Sequence, residues 1–166
     1  MKKQKNLWRI KENRFIPTSQ HHRETIFTTG NGYFSTRGSF EERFPLDCQA
    51  TLIHGIWDDV PIAFTELANV PDWTSVEIWC SGKRFSMDQG EILSYARFLD
   101  LRTGCLQRKI QWSPDGGQTI IDLYFERFPS LADQHIACVK VQLTPVTGEV
   151  SLRVRASLDS HVENNG

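Results

Sequence analysis

Short runs of strand-forming residues, each closed by a turn, leave this chain few folds to choose from. Between two such runs stands Ser113-Pro-Asp-Gly-Gly-Gln118, whose centre supplies the backbone angles of a tight hairpin. Ser81-Gly82 and Thr147-Gly148 mark two further reversals. Residues 150–158 show the strand period plainly. Val150, Leu152, Val154, Ala156 and Leu158 fall on one side, and Ser151, Arg153, Arg155 and Ser157 on the other. That pattern predicts one face in a core and one in water. The same reading places strands at 7–11, 32–40, 51–57, 63–67, 76–80, 84–87, 92–99, 105–112, 119–128, 135–143 and 150–158. Only 24–28 and 91–95 invite a short helical turn. About eleven strands with tight connections predict an all-β fold, a large antiparallel β-sandwich. No repeat, linker or low-complexity segment interrupts the 166 residues, the length of one domain with a real core.

The stretch Thr28-Thr-Gly-Asn-Gly-Tyr-Phe-Ser-Thr-Arg-Gly38 has the glycine spacing that opens a dinucleotide fingerprint. The fingerprint also needs a third glycine and a following helix, whereas Ser35 takes that place and the sequence after it alternates like a strand. Gly30, Gly32 and Gly38 are therefore read as shaping the chain's entry into the first core strand. Charge excludes other classes. Nineteen Lys and Arg against twenty Asp and Glu give a net charge of -1, so no electrostatic case exists for nucleic acid or an anionic membrane. The apolar runs are too short to span a bilayer, and the basic start Met1-Lys-Lys-Gln-Lys5 has no apolar region behind it. Cys48, Cys80, Cys105 and Cys138 are widely spaced and read as reduced, buried hydrophobes, with no metal site. A cytoplasmic protein without cofactor is the expectation.

Five phrases, in order along the chain, resemble one family: Glu24–Glu42 (ETIFTTGNGYFSTRGSFEE), Glu66–Trp73 (ELANVPDW), Leu99–Arg108 (LDLRTGCLQR), Arg127–Pro145 (RFPSLADQHIACVKVQLTP) and Arg155–Gly166 (RASLDSHVENNG). They are similar to the amino-terminal domain of family 65 glycoside hydrolases, which include maltose, trehalose and kojibiose phosphorylases. Ser35 stands where that pattern usually has another glycine. The resemblance implies a sandwich of the galactose-mutarotase-like type, placed before an (α/α)6 barrel that carries the general acid and the phosphate loop. It further implies that residues 1–166 form an incomplete, non-catalytic domain. The implied partners are that barrel and, through the parent enzyme, α-linked glucose disaccharides. A second copy of the chain is the other expected partner.

The residues themselves offer no evident catalytic pair. Glu41 and Glu42 are neighbours, and neighbours in a strand point to opposite faces. The same holds for Asp58 and Asp59, which read as a strand end entering a turn. Arg37-Gly38 and Arg102-Thr-Gly104 lack the helix start of a phosphate cradle and read as loop braces. Of the tryptophans, Trp57 and Trp79 sit inside apolar strands and are expected in the core. Trp73, after Pro71-Asp72, is the candidate for an exposed contact with substrate or partner. Two rival readings are a stand-alone carbohydrate-binding module and a mutarotase-like epimerase. The second would pair His54, His135 or His161 with Glu66 or Glu126.

Overall fold

The computed structural model describes residues 7–45, 47–58 and 65–164. Its elements run β1 (Arg9–Glu12), α1 (Gln20–Ile26), β2 (Thr29–Gly30), β3 (Phe34–Thr36), β4 (Thr51–Asp58), β5 (Glu66–Asn69), β6 (Val76–Cys80) and β7 (Lys83–Arg84). Then come β8 (Glu91–Asp100), β9 (Cys105–Ser113), β10 (Ile120–Pro129), β11 (Ala137–Thr147) and β12 (Leu152–Ala156). They form three antiparallel sheets, ordered β1-β8-β9-β10-β11, β12-β6-β7 and β2-β3-β4-β5. The fold is an all-β sandwich.

Alternation sets the layers. On β9, Ile110 and Trp112 point inward, and on β10 Ile121, Leu123 and Phe125 do the same. They meet Val76, Ile78 and Cys80 of β6 in one buried cluster. A smaller cluster of Phe27, Leu99 and Leu106 lies where α1 covers the other end of the large sheet. The hairpin predicted at residues 113–118 joins β9 to β10, with Gly116 and Gly117 at positive φ of 73° and 96°. Gly38 serves a different need. A Cβ there would lie 2.6 Å from the Phe27 Cβ and 3.0 Å from the Glu24 carbonyl, so only glycine lets this loop pack on α1.

Several expectations are corrected. Residues 91–95 open β8 rather than a helical turn, because the chain there pairs with β9 from Glu91↔Ser113 onward. The helical turn expected at 24–28 is the end of a helix that begins earlier and spans Gln20–Ile26. Strand β3 is shorter than 32–40, since past Thr36 the chain turns to α1, where the Gly38 N–H donates to the Glu24 carbonyl at 2.9 Å. Residues 63 and 64 of the expected strand at 63–67, like Asp59, lie outside the described residues, and β5 begins at Glu66. Trp57 is 59% exposed, and Trp79 is half-buried beneath the Arg153 and Arg155 guanidinium groups. The core tryptophan is Trp112, whose indole N–H donates to the Gln89 carbonyl at 2.7 Å. Strand β12 alternates as read, yet every residue of it is exposed, because it pairs only with β6 and nothing described covers its apolar side. Of the four free cysteines only Cys80 is buried, which pushes its thiol up to about 11, and Cys138 is exposed.

Candidate functional site

Three arginines occupy core positions. On β9 the inward set is Leu106, Arg108, Ile110 and Trp112, and Arg127 extends the inward set of β10. Arg97 does so on β8, directly opposite Arg108. Two cations side by side in a dry layer repel strongly unless anions join them. Glu12, Glu41 and Glu42 join them, all buried. Arg97 meets Glu12, with Nε to Oε2 at 2.9 Å, and its Nη1 donates to the Gly38 carbonyl at 2.8 Å. Arg108 donates to Glu42 Oε1 at 2.7 Å and to Glu41 Oε2 at 2.8 Å, with a further bond to Glu42 Oε2. Arg127 Nη1 lies 3.3 Å from Glu41 Oε1, and its Nη2 donates to the Arg37 carbonyl at 2.7 Å. Phe40 lies against both the Arg97 and the Arg108 guanidinium, at 5.0 and 4.1 Å.

The loop after β3 carries most of these partners and is tied to both layers. The Glu41 carbonyl accepts from the Val76 N–H at 2.9 Å, and the Glu42 carbonyl from Arg84 at 3.0 Å. This corrects the reading of Glu41 and Glu42 on opposite faces. They sit in a turn, so both carboxylates reach the same guanidinium. Burial alone would lower Arg108, but the two carboxylates overrule it and raise it. Such carboxylates are structural anions, closed off from any substrate. Sequence pattern carried a signal for them: Arg108 falls in phase with Leu106, Ile110 and Trp112.

The other motifs are cross-links too. Asn31 donates to the Ser130 and Gln134 carbonyls at 2.7 and 3.0 Å, while the Tyr33 ring meets His135 edge-on at 4.6 Å. Asp72 and Asp159 pair through their backbones, and Arg43 bridges their carboxylates at 3.2 and 2.6 Å. Asn69 holds Asn164 and Glu163. Arg37 braces α1 through the His21 carbonyl at 3.0 Å and the Glu24 carboxylate at 3.4 Å. Trp73 is half-buried, with its indole N–H donating to Thr36 Oγ1 at 2.9 Å and Phe34 against its ring. None of His54, His135 and His161 touches Glu66 or Glu126. His135 and His161 face Asp133 and Asp159 instead. Among the described residues no group of three or more His, Cys, Asp or Glu is placed to hold a metal ion. No helix among them is long and apolar enough to cross a membrane.

Glu24 lies on the buried face of α1. Burial, with the Asp47 carboxylate beside it, pushes its carboxyl up to about 8. The folded chain therefore keeps this proton where the unfolded chain, near 4.5, has lost it. Stability must fall as pH rises across that window. We expect denaturant midpoints to drop between about pH 5 and pH 8. Glu24→Gln, which keeps the shape of the protonated group, should flatten that slope. An unchanged slope in Glu24→Gln would show that the proton is held elsewhere.

Comparison with known proteins follows the same residues. Residues 10–166 match the model described as glycosyl hydrolase family 65, N-terminal domain. The chain belongs to this family. A kojibiose phosphorylase of Halothermothrix orenii is 35% identical over 159 residues, covering 96% of this chain and 20% of that protein. An alpha,alpha-trehalose phosphorylase of Thermoanaerobacter brockii is 31% identical over 172 residues, covering 95% of this chain and 22% of that protein. A solved structure of a kojibiose-phosphorylase-like protein from the human microbiome superposes with a TM-score of 0.82. It covers 94% of this chain and 22% of its own, and at 24% identity it supports the fold. This family 65 amino-terminal domain thus spans about 20% of the length of the curated relatives it matches. Its five motif phrases are largely the cross-links described above, from the Asn31 clamp to the Asp72–Asp159 clasp.

Proposed function

We propose that this domain is a supporting, non-catalytic part of an α-glucoside phosphorylase or hydrolase acting in the cytoplasm, where it carries a catalytic (α/α)6 barrel. The observation that carries the reading is the match over nearly the whole chain to about a fifth of enzymes named for kojibiose and trehalose phosphorolysis. The buried carboxylates support it, since Glu12, Glu41 and Glu42 are all held by arginines. Their oxygens neutralise the sandwich interior, and acid–base work on a glycosidic bond needs carboxyl groups open to a cleft. Exposed apolar residues on β12 and around β11 offer surface for a large partner. Trp73 is proposed as an anchor at that partner's margin, its ring partly exposed and its N–H held inward by Thr36.

Catalytic silence tests the reading. Incubated with maltose, trehalose or kojibiose, with and without phosphate, the purified chain should release neither glucose nor glucose 1-phosphate above a no-protein blank. Product formation that scales with protein concentration would overturn it.

A further inference from the structure

The outer side of the β4–β5 pair bears a groove of about 660 Å3, closed on one flank by α1 and β3 and on the other by the segment ending at Asn164. Its floor is apolar, made by Ala50, Leu52 and Leu67, and Trp57 stands beside it with most of its ring in solvent. Arg37 lines the wall, its Nη2 held by the His21 carbonyl at 3.0 Å and the Glu24 carboxylate at 3.4 Å. Groups with unfilled hydrogen-bonding capacity line the same space. Glu66 has no ion pair or side-chain hydrogen bond among the described residues, and the Trp57 indole N–H has no acceptor among them. The groove thus presents a flat aromatic surface, an open acceptor in Glu66 and an open donor in the Trp57 N–H together.

That combination selects among ligands. The rim carries both signs, Arg37 against Glu66 and Glu163, so neither an anion nor a cation is favoured. An aliphatic ligand would leave the polar rim unpaired. A pyranose ring meets each demand, with C–H groups for the indole face and hydroxyls that both donate and accept. The volume lies within the roughly 300–1,000 Å3 of small-molecule sites. The other large hollow, about 570 Å3 on the outside of the five-stranded sheet, has no tryptophan in its lining. There Gln111 donates to Asp122 at 2.9 Å, and Lys109 and Lys140 both lie over the Tyr124 ring.

We propose that the β4–β5 groove is a saccharide subsite for a neutral pyranoside, with Trp57 as its stacking platform and Glu66 as a hydroxyl partner. The choice of α-glucosides as first probes rests on the parentage proposed above, whereas the site itself rests on the groove. The test is a titration of the full 15N-labelled chain with kojibiose and trehalose, and separately with the β-linked disaccharide cellobiose. The Trp57 indole signal is assigned from its loss in Trp57→Phe. Kojibiose or trehalose should shift that signal to saturation while the buried Trp112 signal stays in place. Trp57→Ala should weaken binding about tenfold or more, measured calorimetrically, and Glu66→Gln should weaken it by a smaller factor. Because Trp57 is exposed, its removal leaves the remaining indole signals as a check on folding. A saturable shift with cellobiose alone would support the subsite and count against the α-glucoside parentage. A Trp57 signal unmoved by all three sugars, or binding undiminished in Trp57→Ala, would overturn the subsite while leaving catalytic silence and parentage untouched.

Discussion

Replacing Arg108 with methionine is expected to cost about 3–5 kcal/mol, the penalty for stranding buried charge when one partner of an ion pair is removed. Glu41 and Glu42 would lose their shared guanidinium in a space with no room for water, since the cleft bounded by Gly38, Phe40 and Arg97 holds essentially none. Domains of this size have only about 5–15 kcal/mol in total. The melting temperature should therefore fall by roughly 6–20 °C. Arg108→Lys keeps the charge but loses the fork that reaches two carboxylates, and should lie between wild type and Arg108→Met. The loss is not a matter of volume alone, because methionine fills much of the space between Phe40 and Phe125. A thermal melt of Arg108→Met within 1–2 °C of wild type, under about 0.5 kcal/mol, would mean the network is not holding the layers.

The sequence made the sandwich legible because strand alternation and turn chemistry are local. Ser113–Gln118 needed only its own residues to make a hairpin. Placement of side chains between layers was harder, since it depends on which strands meet. Trp57 reads as core from its apolar neighbours, yet β4 lies in a sheet whose outer side is open. Trp112 held the stronger signal, in phase with Leu106 and Ile110 just before the hairpin. The buried charges were hidden by a general prior that arginine and glutamate lie outside. Arg97, Arg108 and Arg127 come from three adjacent strands, and the three glutamates from β1 and a loop, so no short window brings them together. The Trp57 groove was out of reach for the same reason, being assembled from α1, β3, β4, β5 and residues 163–164.

The second large effect concerns association. Among the described residues, strand β12 pairs only with β6 and β11 only with β10, so both offer unpaired backbone groups along an edge. Leu152 and Val154 project from β12 at 38% and 50% exposure, and Ile136 and Val146 flank or extend along β11 at 48% and 49%. Exposed apolar side chains beside a free edge mark a place for a partner strand or surface. The chain alone should satisfy that surface with a second copy, and a β12 carrying Val154→Lys should do so less, because a charge on an edge face opposes pairing. The supporting role proposed for this domain depends on that surface. Sedimentation velocity of the purified chain, run over a roughly tenfold concentration range with an apolar dye present, tests it most directly. The account predicts a sedimentation coefficient that rises with concentration, dye binding, and reduction of both in Val154→Lys. A compact monomer at every concentration that binds no dye would contradict it.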